Sequence, residues 1–229
     1  MISPRTAAWM LAGWLATSVL GADGPTPLPT VPVDDLEPTV REQVEARRAT
    51  LDALVARTTT ESIEPLRGEL IAAYGDVGQL YLLYDRPEAA RLAFSEVVEL
   101  APETLAAWYY LGVVHQRAGR FADAVDAFDQ VLALAPDDVP TLLRLGECHF
   151  RLRRFDQAET HYRRALDLVP SSAAGLFGLG RIADARRDFA TAVDYFTRAA
   201  DSQPDADAIF HPLALAHRRL GDLDAAKAA

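Results

Sequence analysis

Four residue classes recur along this chain at a spacing of 34 positions. Glycine stands at Gly78, Gly112, Gly146 and Gly180, and alanine at Ala90, Ala124, Ala158 and Ala192. An aromatic stands at Phe94, Phe128, Tyr162 and Phe196, and proline at Pro102, Pro136, Pro170 and Pro204. The stretch WYYLGVVHQRAGRFADAVDAFDQVLALAP, residues 108–136, is answered by LLRLGECHFRLRRFDQAETHYRRALDLVP, residues 142–170. A chain that respells itself at a fixed period repeats one supersecondary unit, which constrains the fold more than composition does.

Each unit reads as a helix, a tight turn and a second helix. The glycine of the first helix and the alanine of the second mark a close crossing, where a larger side chain would force the helices apart. Large apolar residues such as Trp108, Leu111 and Phe128 fill the space beside it. The proline stops the second helix, because it cannot continue the backbone hydrogen bonding and biases its predecessor towards extended geometry. Asp137, Asp138, Ser171 and Ser172 stand where N-caps of the next first helix belong. No unit buries its own apolar face, so stability comes from stacking neighbours.

These residues, in this phase, resemble the tetratricopeptide repeat (TPR) family. The resemblance covers residues 71–206 in full and 207–229 in part. It implies an all-α, right-handed superhelical α-solenoid of helix–turn–helix repeats: 71–104, 105–138, 139–172, 173–206 and a partial fifth, 207–229. The fifth unit departs from the pattern, with Ala214 in the glycine position and Pro212 inside the first helix, where it is expected to delay or kink the start. An apolar surface is expected to stay open at that end, to be met by further chain or by a partner.

Ahead of the repeats, Arg5 precedes an apolar run from Ala7 to Leu20, followed by small residues near Gly21 and Ala22. At about 14 residues the run is short of the roughly 20 that span a bilayer, and it reads as a secretory signal over 1–22. No cysteine follows it, which excludes lipid attachment there. Residues 23–38 hold five prolines and read as an extended, semi-rigid linker holding the folded part away from the membrane or export site. Helical periodicity then returns over 39–70, with Val40, Val44, Leu51, Leu54 and Val55 in phase and a second helix beginning near Ile63.

Net charge is -10, a poor match to phosphate backbones, so nucleic acid is not an expected partner. The arginine clusters are short and interleaved with acids, as on solvated helix faces. Cys148 is the only cysteine, so no internal disulfide and no cysteine-built metal or haem site is available. His115, His149 and His217 share one repeat position and read as packed or hydrogen-bonded side chains, the first two placed where neighbouring helices would let them face each other. No nucleophile, base and orienting group stand together, so no catalytic residue, metal or cofactor is assigned.

The resemblance implies a concave groove lined by first helices. Its inward rows fall on Gly75, Tyr109, Leu143, Phe177 and His211; on Gln79, Val113, Glu147, Arg181 and Leu215; and on Leu82, Gln116, Phe150, Asp184 and Arg218. The candidate partner-binding residues are Tyr109, Gln116, Phe150, Arg151, Phe177, Arg181 and Arg218. Aromatics beside arginines suit a peptide with apolar anchors and an acidic group. The clamp by which one TPR subgroup grips acidic chaperone tails needs lysine and asparagine, and this chain has no asparagine and a single lysine, Lys227, outside the groove.

The expected function is a non-catalytic protein–protein interaction scaffold, exported and periplasmic. It would bind a peptide or helix of a partner protein and meet a membrane only through an uncleaved N-terminal segment. Two alternatives stay open: the front module of a longer envelope enzyme or carrier, and a self-assembling scaffold.

Overall fold

The computed structural model describes residues 24–221, and the expected signal at 1–22 and second helix of the fifth unit at 222–229 lie outside them. Ten helices make up the described chain: α1 Pro38–Arg57, α2 Ile63–Leu83, α3 Pro87–Leu100, α4 Leu105–Arg117, α5 Phe121–Leu134, α6 Val139–Arg151, α7 Phe155–Leu168, α8 Ala173–Ala185, α9 Phe189–Ser202 and α10 Asp207–Leu220. Each packs mainly on the next, and first helices touch across units where α2 meets α4 and α6 meets α8. This is the α-solenoid that the period predicts.

The period sets the helix ends. First helices α4, α6, α8 and α10 start at Leu105, Val139, Ala173 and Asp207, and second helices α3, α5, α7 and α9 at Pro87, Phe121, Phe155 and Phe189. Each repeat proline lies two residues beyond the end of a second helix. Pro212 does not delay α10, whose start stays in phase. The missing N–H of Pro212 falls only in the second turn of that helix. Helix α2 is longer than the other first helices and runs unbroken through residues 70 and 71, so the first unit and the segment before it share one helix.

The repeat glycine accommodates a ring. A Cβ built on Gly112 would stand 2.5 Å from the Phe128 ring, one on Gly146 would stand 2.6 Å from the Tyr162 ring, and one on Gly180 would stand 2.6 Å from the Phe196 ring. The aromatic of the second helix therefore fills the space that a first-helix side chain would take, and all four repeat aromatics are buried. Tyr162 is also capped from the next unit, because its ring occupies the Cβ space of Gly178. The repeat alanines lie fully buried in the same seam.

Turns within units repeat as closely. Asp85, Gly119, Arg153 and Arg187, each 34 residues apart, take positive φ of 56°, 73°, 61° and 65°. After each, a backbone N–H reaches back over the turn, as from Arg120 to the His115 carbonyl at 2.9 Å and from Arg154 to that of His149 at 2.9 Å. Only one of the four positions uses glycine, the residue for which this conformation costs least. Between units, Asp138 caps α6 through the Thr141 N–H at 2.9 Å, and Ser172 caps α8 through that of Gly175 at 3.3 Å. Asp137 instead pairs with Arg164 at 2.5 Å.

Helix α1 packs on α2 as each second helix packs on the next first helix, so it serves as the outer helix of an incomplete leading unit. The proline-rich residues 24–33 form neither helix nor strand and 34–36 turn into α1; the segment is laid against α1, α2 and α3 with Leu28 buried, instead of standing off as a tether.

Polar groups inside the stack are few. Cys148 is fully buried and its thiol is pushed up to about 12 by burial. His149 does not face His115; it stacks on His161 of α7, centroids 5.2 Å apart and planes 4° apart. His115 Nδ1 accepts from Arg120 Nε at 3.2 Å. Burial, reinforced by His161 and Arg154, depresses His149 to about 4.

Gly112→Ala loses about 1–3 kcal/mol in urea unfolding, because the buried Phe128 ring must move. Gly68→Ala, with open space around its Cβ on exposed helix α2, gains roughly 0.5–1 kcal/mol. For His149, the unfolded chain takes up a proton below about pH 6.5 that the folded chain refuses until about pH 4, so this stability is whole above that window and lost as pH falls through it. Wild type should therefore lose about 1–2 kcal/mol more than His149→Phe between pH 7 and pH 5, read from urea midpoints at the two pH values.

Candidate functional site

First helices carry their inward residues in repeat phase, and many of these line two recesses or enter a polar cluster built on α4 and α6. The C-terminal recess, of 430 Å³, is built from α6, α8 and α10, with Phe150, Phe177, Arg181, Asp184, His211 and Leu215 in its wall. Its centre is Arg181. The guanidinium lies 4.0 Å from the Phe150 ring centroid and 5.8 Å from that of Phe177, and Nη1 donates to Glu147 Oε2 at 2.5 Å. One half-buried arginine is thus held by two rings and a carboxylate in a fixed pose, the arrangement in which cation–π contacts gain from desolvation. Phe177 also packs on the buried repeat ring of Phe196, at 5.5 Å between centroids.

Tyr109 and Gln116 form the polar cluster with Arg144. Arg144 Nε donates to Tyr109 Oη at 2.8 Å, and its Nη1 donates to Gln116 Oε1 at 2.7 Å. The guanidinium also lies 5.3 Å from the Tyr109 ring centroid. Arg144 was not among the sequence candidates. Its repeat position holds Tyr110 one unit earlier and Gly178 one unit later, so nothing in the period marked it.

The other two candidates are exposed and line neither recess. Arg151 is exposed, with its guanidinium 4.7 Å from the Phe121 centroid and 3.9 Å from Glu147. It covers the seam between units, as Arg219 does over Phe189. Arg218 is exposed on α10, and its neighbour Arg219 is the one that pairs with Asp184.

The N-terminal recess, of 600 Å³, joins Gln79 and Leu82 of α2 and Tyr110 and Arg117 of α4 to Gln43 and Arg47 of α1. Arg47 pairs with Asp76 across it, and Leu83 is 70% exposed at its edge. Gln79 and Leu82 belong to the expected inward rows; the wall supplied by α1 does not, because α1 lies outside the period. Among the described residues no three histidine, cysteine, aspartate or glutamate side chains are grouped to hold a metal ion, and no helix is long and apolar enough to cross a membrane.

Two family models described as tetratricopeptide repeat match the chain, over residues 103–171 and 143–209. No curated protein matches it by sequence. Among solved structures it is similar to MamA from Desulfovibrio magneticus RS-1, at 21% identity and TM-score 0.65 over 69% of this chain and 89% of that one. BtubC from P. vanneervenii is similar at 17% identity and TM-score 0.65, over 84% and 88%. YrrB, a TPR protein with an unusual peptide-binding site, is similar at 18% identity and TM-score 0.58, over 72% and 87%. Residues 103–209 therefore match tetratricopeptide repeat models, and the described chain has the fold of a TPR α-solenoid.

Proposed function

We propose that the chain is a non-catalytic protein-interaction scaffold whose first-helix wall takes an extended peptide or a helix from a partner protein. The observation that carries this reading is the Phe150–Arg181–Phe177 stack with Glu147 behind it, opening onto an apolar recess. Aromatic rings and a preorganised arginine are the side chains that dominate binding energy at protein interfaces, and holding them rigid lowers the entropy cost of association. The similarity to YrrB, with its peptide-binding site, supports the same use of the fold. The place of action is the bacterial envelope, a reading supported by the signal-like residues 1–22.

Capture of partners from a native envelope extract, followed by mass spectrometry, tests both parts. Replacing Phe177 and Arg181 together by alanine should lower retention of the specifically captured protein about ten-fold or more, with helicity kept, whereas Arg163→Ala on exposed α7 should leave it unchanged. Undiminished capture by the double variant removes the groove assignment. Export is read separately, from the mass of the chain recovered in the envelope fraction. Loss of about the first 21 or 22 residues is expected there.

A further inference from the structure

The proline-rich segment is held as peptide-recognition domains hold a ligand. Residues 25–35 run along a channel between α1 and α3, over α2. The contacts that fix them are made by side chains of the helices to the backbone of the strap. Tyr74 Oη donates to the Thr26 carbonyl at 2.6 Å. Arg48 donates to the Pro29 carbonyl at 2.8 Å and to that of Leu28. Arg86 Nε donates to the Pro32 carbonyl at 3.3 Å and its Nη2 pairs with Asp35 at 2.5 Å. Glu96 accepts the Thr26 N–H at 3.1 Å. Two strap side chains, Pro25 and Leu28, are buried between these contacts.

This pattern selects a ligand class. An extended proline-rich segment has no internal hydrogen bonds, so its carbonyls are free to accept, and its prolines bring no N–H that would need a partner on burial. Donors spaced along the channel, with buried positions for a proline and a leucine three residues apart, therefore suit a peptide in which a leucine stands between prolines, as in residues 25–29, PTPLP. Nor is the strap packed as core throughout. Beneath Val31 and Val33 a space of 230 Å³ remains, lined by Val44, Arg48 and Tyr81. Tyr74 and Tyr81, seven residues apart, share a face of α2 distinct from the Gln79 and Leu82 face, so the channel is separate from the wall of first helices.

We infer that the channel formed by α1, α2 and α3 is a second binding site, specific for an extended proline-rich peptide, and that residues 25–35 are its resident ligand in cis. The strap is thus a releasable occupant, and the same sequence supplied in trans takes its place. Tethering gives the cis strap an effective concentration of roughly millimolar, so a competing peptide is excluded until the strap is weakened.

The test uses the full chain and a fluorescein-labelled peptide of residues 24–37, followed by fluorescence anisotropy. Leu28→Asp in the full chain expels the strap, and this variant is expected to bind the peptide saturably and about ten-fold or more tighter than wild type does. Leu28→Ala, which buries no charge, should fall between the two and carries the test if the aspartate variant loses helicity. Adding Tyr74→Phe to either should weaken binding several-fold, and a peptide that itself carries Leu28→Asp should not compete. The inference is overturned if the helical variants bind no better than wild type, or if the altered peptide competes equally. Loss of helicity in Leu28→Ala overturns it too, since the strap would then be part of the core. Because no partner extract is involved, failure here is independent of the groove reading.

Discussion

The contact between the repeat glycine and the repeat aromatic governs the rest of the molecule. A helix pair can close to this distance only if one helix presents no side chain where the other presents a ring. In unit after unit, Gly78, Gly112, Gly146 and Gly180 leave that space and Phe94, Phe128, Tyr162 and Phe196 enter it. A buried aromatic ring is among the largest apolar contributions one side chain can make. Once the pair distance is fixed, the next first helix has one place to pack, and the inward residues of successive first helices come to matching heights. Tyr162 shows the coupling directly, since its ring meets Gly146 of its own unit and Gly178 of the next. Intra-unit and inter-unit geometry are then set by the same side chain.

Polar links between units use arginine throughout, in a chain whose only lysine is Lys227. Arg120 reaches Glu88, Arg181 reaches Glu147, Arg186 reaches Asp156 and Glu159, and Arg219 reaches Asp184. Exposed pairs of this kind contribute little stability one at a time. Their planar forks do fix direction, however, and an arginine that is hydrogen-bonded on its edge still offers its face to a ring. Arg144 and Arg181 use both properties. The wall of first helices is therefore assembled from the same contacts that lock the units in register.

What the amino-acid sequence reveals follows from this division. Helix starts, helix stops and the buried ring positions were legible because each is forced by the period. Four of the seven groove candidates, Phe150, Phe177, Arg181 and Tyr109, lie where the repeat places them, and Gln116 joins them through Arg144. Arg144 itself was not legible, since its role depends on reaching back one unit to two acceptors that share no residue spacing with it. Arg151 shows the reverse: it follows Phe150 in sequence, yet one step along a helix turns a side chain by about 100°, which carries it to the Phe121 seam. The positive φ of Asp85, Arg153 and Arg187 was hidden because only Gly119 announces the shared turn.

The strap was unreadable for a different reason. Proline-rich composition specifies an extended backbone without internal hydrogen bonds, and that is equally the description of a free tether and of a bound peptide. The distinction lies in the surface the segment meets. Here the surface is supplied by Arg48 of α1, ahead of the period, and by Tyr74, Arg86 and Glu96 from the two helices and the turn of the first unit. The channel runs beside α1 and α3 over α2, on a face of α2 distinct from the one that joins the wall of first helices, so its lining residues carry none of the constraints that set that wall.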